Sequence, residues 1–269
     1  MSQPAIGGLL LVVGLGVFAL VLLVRRIRPG VAHIDSGPAA AVLSYVAAAF
    51  GILLGFVIVF LFGLAANARQ AIGDEATSIG TAFDEAQLFP DGEPDIQHAL
   101  ICYSRAVSEE EWPELAKGRS APEADDAYRA LIATYGEVDE PADRTFQPGA
   151  ATNSFVQIGG ISTARETRLV TADSGLGPLM WALLLGAAAF VLVLLFVVSV
   201  SARPLAQAVL LGLAGVFTAV LLLLVLVLSN PFREGSGPLT PRLIDENTER
   251  MVALAPDVVA QPCPFDQAG

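Results

Sequence analysis

The 269-residue chain has a mean hydropathy of +0.61, and 54% of its residues are hydrophobic. These values are typical of an integral membrane protein and exclude an ordinary soluble globule. The formal net charge of −12 is segregated, since 20 acidic and eight basic residues fall between Asn67 and Gly177. The chain has a single lysine, Lys117, and no basic run in this region, so no nucleic-acid partner is expected.

Four uncharged runs are long enough to cross a bilayer, which takes about 20 residues of helix. They are Ala5–Val24, Ala39–Ala66, Gly177–Ser201 and Leu205–Ser229. The first is not a signal peptide, because no basic segment precedes it and an arginine cluster follows it. No long run alternates with a period of two. The sequence therefore predicts an all-α protein with four transmembrane helices and an extramembrane helical bundle between spans two and three.

The second run continues without proline to Phe89, and after Ala66 it becomes amphipathic and acidic. A single helix is predicted from Ala39 to about Phe89. At ~1.5 Å per residue, its second half must stand outside the hydrocarbon core.

Four domains follow from these runs. Residues 1–66 hold spans one and two, 67–176 an acidic helical domain, 177–229 a hairpin of spans three and four, and 230–269 a proline-rich tail. In the acidic domain, helices are expected over 95–117, with a kink or break near Pro113 or Ser108, over 122–135, and from 150 directly into span three. The tail has one helix candidate, Pro241–Leu254.

The short loops indicate the orientation. Arg25, Arg26 and Arg28 follow span one, and Arg203 lies between spans three and four. Short arginine-bearing loops stay in the cytoplasm. The sequence therefore predicts a multi-pass protein of the cell membrane with its N-terminus, acidic domain and C-terminus outside.

Span two carries two patterns. Gly51 and Gly55 form a G-x-x-x-G pair, which favours close helix packing. Ile52, Phe56 and Phe60 follow at intervals of four, on nearly one stripe. Either these side chains face lipid or neighbouring helices, or a ring of such stripes forms a hydrophobic constriction that gates a pore by dewetting. No ionisable side chain lies within a span, which argues against a proton-coupled transporter.

The acidic domain contains Glu109, Glu110 and Glu111 in succession. They indicate either a solvated face or an acidic vestibule that attracts cations. No catalytic motif is present, so neither an enzyme nor a cofactor is expected.

The two cysteines, Cys102 and Cys263, are both expected outside, where disulfides persist. Free thiols, an intramolecular bridge and a bridge between subunits remain open. His98 and Cys102 lie four residues apart on a predicted helix and could share a face. Because the chain has only two histidines, ordinary packing is favoured and no metal site is predicted.

Three segments carry a resemblance. EEEWPELAKG (Glu109–Gly118), LGPLMWALLLG (Leu176–Gly186) and NPFREGSGPLTPRLI (Asn230–Ile244) resemble the bestrophin-like domain-of-unknown-function family of bacterial membrane proteins over roughly residues 39–251. The resemblance implies kinship with the bestrophins, pentameric anion channels whose second membrane helix bears a neck of one isoleucine and two phenylalanines spaced by four. Ile52, Phe56 and Phe60 match that spacing, although Gly55 and Phe56 also align one turn later.

Three features depart from the bestrophins. Their soluble domain is cytosolic, their calcium clasp has no counterpart here, and the acidic domain would discourage anions. The expected function is an oligomeric ion channel or pore with its constriction on span two, bound to the lipid bilayer, assembled from identical subunits and in contact with ions. The alternative is a non-conducting scaffold or envelope sensor whose outer domain binds a partner.

Overall fold

The computed structural model describes residues 3–27, 37–137, 147–233 and 237–263. All regular structure in these ranges is helical, which confirms the predicted all-α class. The α-helices are α1 Gln3–Ile27, α2 Gly37–Glu85, α3 Glu93–Arg105, α4 Trp112–Leu115, α5 Pro122–Glu137, α6 Gln147–Asp173, α7 Pro178–Val198, α8 Pro204–Leu228 and α9 Arg242–Leu254.

Among the residues that the structure describes, four helices are long and apolar enough to cross a membrane. Their segments are Gly7–Ile27, Gly37–Leu88, Pro178–Ser201 and Pro204–Leu228, which match the four predicted runs. The chain divides into two compact units. We call Met1–Gly63 with Leu176–Ser229 the membrane unit, and Leu64–Gly175 with Asn230–Gly269 the head unit.

Helix α2 is the 49-residue rod that the sequence predicts. It has no proline after its first turn, and a short 3₁₀ turn, Ala86–Leu88, follows it. It stops because Phe89 precedes Pro90, and a residue before proline is pushed out of the helical region; Phe89 has φ −120° and ψ 72°.

In the membrane unit, α1 packs along α8 through glycines. A Cβ added at Gly215 would lie 3.1 Å from Val17 Cγ2, and one at Gly212 would lie 3.4 Å from the Gly14 carbonyl oxygen. Small residues of this kind let membrane helices approach closely.

Gly51 and Gly55, the glycine pair of α2, lie outside this α1–α8 contact. Apart from the adjoining residues and backbone of α2 itself, no described atom lies within 4 Å of where a Cβ would stand at Gly51 or Gly55. Close packing through glycines is seen within the chain between α1 and α8, and the packing of Gly51 and Gly55 against another helix stays a prediction.

Arg25 joins the end of α1 to the turn between α7 and α8. Its guanidinium donates a hydrogen bond to the carbonyl oxygen of Ala202 at 3.1 Å and another to that of Val200. The end of α1 and the α7–α8 turn that carries Arg203 thus lie on the same face of this unit.

Of two local expectations in the head unit, the structure agrees with one and differs from the other. The helix expected over 95–117 has the predicted break near Ser108, which takes the form of a π-helical segment, Ala106–Glu111, and it restarts as α4 with Pro113 in its first turn, where proline is tolerated. The fourth helix does not lead directly into span three. Residues 174–177 are not helical, because Gly177 is extended and Pro178 begins a new helix, as proline favours the first helical position.

Candidate pore-lining helix and buried ion network

One face of α2 is uncovered in the membrane unit. Ile52, Phe56 and Phe60 expose 63%, 71% and 56% of their surface, whereas Leu54 and Leu61, on other faces, are buried. Exposed phenylalanines need an apolar environment, which lipid, a neighbouring subunit or a dewetted pore can each supply.

The same helix exposes polar side chains in the head unit. Asn67, Gln70 and Asp74 are exposed. Asp74 lies 18 residues after Phe56, about five turns at ~3.6 residues per turn, so both positions share one stripe of α2. The character of the stripe changes along the helix from bulky and apolar to polar and acidic.

A groove of about 470 Å³ runs between α2 and α6 along this polar stripe. It is lined by Asn67, Gln70, Ala71, Asp74, Ser78, Gly160, Thr163, Ala164 and Thr167. Gly160 lets α6 approach, because a Cβ there would lie 2.6 Å from Ser78 Oγ. Its described lining carries one carboxylate and no basic side chain, so the groove is hydrophilic and weakly negative.

Behind that groove, Arg168 of α6 is fully buried and binds two carboxylates. Its Nε and Nη2 each donate to Glu75 of α2 at 3.0 Å, and Nη2 lies 2.8 Å from Glu111 Oε2. The Tyr103 hydroxyl donates to the same Glu75 carboxylate at 2.6 Å. The guanidinium also lies 5.9 Å from the ring centroid of Trp112.

Arg165, one turn before Arg168, extends this network toward α5. Its Nε donates to Glu111 Oε1 at 3.0 Å, and its Nη2 donates to Asp125 Oδ1 at 2.6 Å. The two arginines balance Glu75 and Glu111, which are fully buried. We call Glu75, Tyr103, Glu111, Asp125, Arg165 and Arg168 the ion network.

The ionisation of the network follows from its surroundings. Burial raises the pKa of Tyr103 well above its usual value, and the negative charge of Glu75 raises it further. Burial alone would lower the pKa of Arg168, but Glu75 and Glu111 outweigh it and the net direction is upward. The tyrosine is therefore neutral and the arginine charged throughout the ordinary pH range.

The three consecutive glutamates, Glu109, Glu110 and Glu111, lie in different environments. Glu109 and Glu110 are exposed, as an acidic surface requires. Glu111 corrects the sequence expectation, because it is buried and bound to Arg165 and Arg168. At ~3.6 residues per turn, consecutive helical residues point about 100° apart, so three neighbours need not share one face.

Sequence reasoning missed the ion network. Glu75, Tyr103, Arg165 and Arg168 come from three helices, and no local motif joins them. One signal was present: Arg165 and Arg168 are spaced by three, so they share a face of α6.

Cys102 and Cys263 form a disulfide with a Cα–Cα distance of 5.5 Å. It connects α3 to the segment that follows α9, within the head unit. Of the three alternatives left open by the sequence, the structure has the intramolecular bridge.

Two of the resembling segments meet in the head unit. The ring of Trp112 packs edge-on against Phe232 with centroids 5.5 Å apart, and Asn230 Nδ2 donates to the Ala116 carbonyl oxygen at 2.8 Å. The segments Glu109–Gly118 and Asn230–Ile244 therefore pack against each other.

Comparison with known proteins agrees with this architecture. The model of the bestrophin-like domain matches residues 10–236. A crystal structure of a single-site variant of a bacterial bestrophin homolog from Klebsiella pneumoniae gives a TM-score of 0.70 at 14% identity, over 95% of this chain and 99% of that one. A second variant of that protein gives 0.71 at 13% identity, over 94% and 98%. No curated protein matches. At identities this low, the TM-scores show a shared fold and nothing further.

Proposed function

The chain belongs to the bestrophin-like family of multi-pass membrane proteins, and from this premise we propose that identical copies assemble around an axis lined by α2 and conduct ions. The observation that carries the proposal is the uncovered stripe of Ile52, Phe56 and Phe60. It has the spacing of the bestrophin neck and lies on the second of four membrane helices.

The constriction would act by excluding water. A ring of isoleucine and phenylalanine side chains contributed by several subunits offers no hydrogen bonds to an ion's hydration shell, so a narrow ring dewets and blocks conduction. Gly51 and Gly55, where an added Cβ would meet no described atom outside α2's own adjoining backbone, would let neighbouring copies of α2 approach closely.

The polar continuation of the stripe supports the same role. Asn67, Gln70 and Asp74 would line a hydrated passage beyond the constriction, since they lie on the same stripe of α2 as Phe56. The region from Asn67 to Gly177, with 20 acidic and eight basic residues, would raise the local concentration of cations. Glu109 and Glu110 contribute to this acidic vestibule.

The proposed orientation places the arginine-bearing face of the membrane unit in the cytoplasm and the head unit outside. Arg25 bonds to the carbonyl of Ala202, next to Arg203, and this shared face supports the positive-inside argument. An oxidising compartment would also suit the Cys102–Cys263 disulfide. Trypsin added to intact spheroplasts is expected to cleave the head unit. Cleavage only after lysis would show that the head unit lies in the cytoplasm and would refute the proposed orientation.

Liposome flux tests the conduction. Purified protein is reconstituted, and the release of trapped K⁺ and Cl⁻ is followed for wild type and for Phe56→Ala with Phe60→Ala. The double variant is expected to leak faster, because smaller side chains widen and hydrate the constriction. Phe62→Ala is the matched control, since Phe62 is also exposed on α2 but points away from the stripe.

Two results would refute the channel. One is a double variant that leaks no faster than Phe62→Ala, and the other is no flux of any tested ion. No flux together with a monomeric or dimeric state in detergent would favour the alternative, a non-conducting scaffold or sensor whose head unit binds a partner.

A further inference from the structure

The disulfide of the head unit has a histidine beside it. His98 lies one turn before Cys102 on α3, and the chain after α9 brings Cys263 to the same place. One ring nitrogen of His98 and the two sulfurs all lie within 4.8 Å of one another. The sequence spacing relates His98 only to Cys102. The fold brings the sulfur of Cys263 to the same place.

We propose that, when this disulfide is reduced, His98, Cys102 and Cys263 bind a thiophilic divalent cation such as Zn²⁺. The head unit would then be held by a disulfide under oxidising conditions and by a metal under reducing ones. This proposal does not depend on whether the protein conducts.

The ligand spacing suits a tetrahedral ion. With Zn–S near 2.3 Å and Zn–N near 2.0–2.1 Å, tetrahedral angles require about 3.6 Å between sulfur and nitrogen and about 3.8 Å between sulfurs. Cys102 Sγ lies 4.0 Å from His98 Nδ1 and 3.5 Å from Nε2. The imidazole is already close to the required distance from Cys102, and breaking the S–S bond lets the two sulfurs separate.

The histidine also has a partner that would orient it. Its Nε2 lies 3.2 Å from the carbonyl oxygen of Gln261. A ring whose Nε2–H donates to this carbonyl leaves Nδ1 unprotonated and available to the metal. Metal-binding histidines almost always donate their other ring N–H in this way, which fixes the tautomer and orientation of the ring.

A cavity of about 710 Å³ adjoins His98 and Cys102 and would supply the fourth position. Its described lining includes Asp91, Asp95 and Glu137 and has no lysine or arginine. Water from this cavity would complete the coordination, as in sites with three protein ligands. The carboxylates would favour a cation by their charge.

The chemistry balances with an external reductant. A dithiol or phosphine gives two electrons to the S–S bond, which breaks, and two protons convert the sulfurs to thiols. Metal binding then displaces these two protons, because thiolates are the ligands. The metal itself is neither oxidised nor reduced.

Cobalt(II) titration of the purified, tag-free, full-length protein tests the site. After reduction with a phosphine and its removal under anaerobic conditions, one Co²⁺ per chain is expected to give thiolate charge-transfer absorption and the intense visible bands of tetrahedral cobalt. Zn²⁺ should abolish both. The oxidised protein should show neither.

His98→Ala should weaken Co²⁺ binding by at least about tenfold, and Cys263→Ser should remove most of the charge-transfer band. His33→Ala is the control, because His33 is the only other histidine of the chain. Thermal melts of the oxidised His98→Ala protein check that it folds. The proposal is overturned if reduced wild type gives no tetrahedral spectrum, or if His98→Ala binds as tightly as His33→Ala.

Discussion

Trp112 and Phe232 pack ring edge against ring face with centroids 5.5 Å apart, although one belongs to α4 and the other follows span four. Trp112 is 5% exposed and Phe232 is fully buried. The contact anchors the start of the C-terminal tail to the head unit. The guanidinium of Arg168 lies over the same tryptophan, so this aromatic pair borders the ion network.

Phe232→Ala is expected to destabilise the head unit by about 3–5 kcal/mol, because it removes a buried ring and leaves a cavity. Thermal unfolding in detergent, followed by tryptophan fluorescence, measures the loss. Phe155→Ala is the control, since Phe155 is 58% exposed on α6. Equal melting temperatures for the two variants would contradict a packing role for Phe232.

Arg168→Met is expected to cost about 3–5 kcal/mol, because it leaves Glu75 and Glu111 buried with one cationic partner fewer. Arg129→Met removes an exposed pair with Asp126 and should cost less than about 1 kcal/mol. The same thermal assay compares them. A similar loss for both variants would mean that the ion network contributes no more than a surface pair.

The free energy of unfolding of the head unit should fall as the pH rises from about 10 to about 12. Burial, together with nearby Glu85, raises the pKa of Tyr135 to about 12, against about 10 for an unfolded tyrosine. The folded state holds this proton more tightly, so the contribution is complete below pH ~10 and disappears as the pH approaches ~12. A two-unit shift corresponds to on the order of 2–3 kcal/mol.

Tyr135→Phe removes the titrating hydroxyl and should flatten this alkaline decline in melting temperature. Tyr103, whose pKa is also raised by burial, should account for part of the decline that remains. An unchanged pH profile for Tyr135→Phe would show that other groups cause it.

Gly215→Val should destabilise the membrane unit by about 1–3 kcal/mol, because a Cβ at this position already lies 3.1 Å from Val17 Cγ2. Gly186→Val on α7 is the matched control, since no described atom lies within 4 Å of its added Cβ. Both changes place valine in a membrane helix, so their difference isolates the α1–α8 contact. It is measured as the loss of folded protein after heating in detergent.

Cys263→Ser should lower the stability of the head unit by about 2–4 kcal/mol, because the disulfide closes a long loop between α3 and the tail. Reduction should lower the melting temperature of the metal-free wild type to about that of Cys263→Ser. It should leave the melting temperature of the variant unchanged. On a non-reducing gel the wild type should run as a monomer. A reducible dimer band would instead indicate bridges between subunits.

The sequence by itself determined the membrane helices and the fold class. Uncharged runs of bilayer length allow few alternatives, because a backbone in lipid must satisfy its own hydrogen bonds. The length of α2 was also predictable from the sequence, because no proline interrupts the helix between its first turn and Pro90. The stripe of Ile52, Phe56 and Phe60 also follows directly from helical spacing, and its role as a constriction stays a prediction.

Only the tertiary structure decided which buried charges pair and which cysteines meet. Glu111 looked like a surface residue because the two residues before it are acidic, yet its carboxylate is buried against Arg165 and Arg168, more than 50 residues later in the chain. Likewise, nothing local relates Cys263 to His98. Contacts between distant segments depend on the packing of several helices at once, whereas a span or a helix stop is set by the chemistry of its own residues.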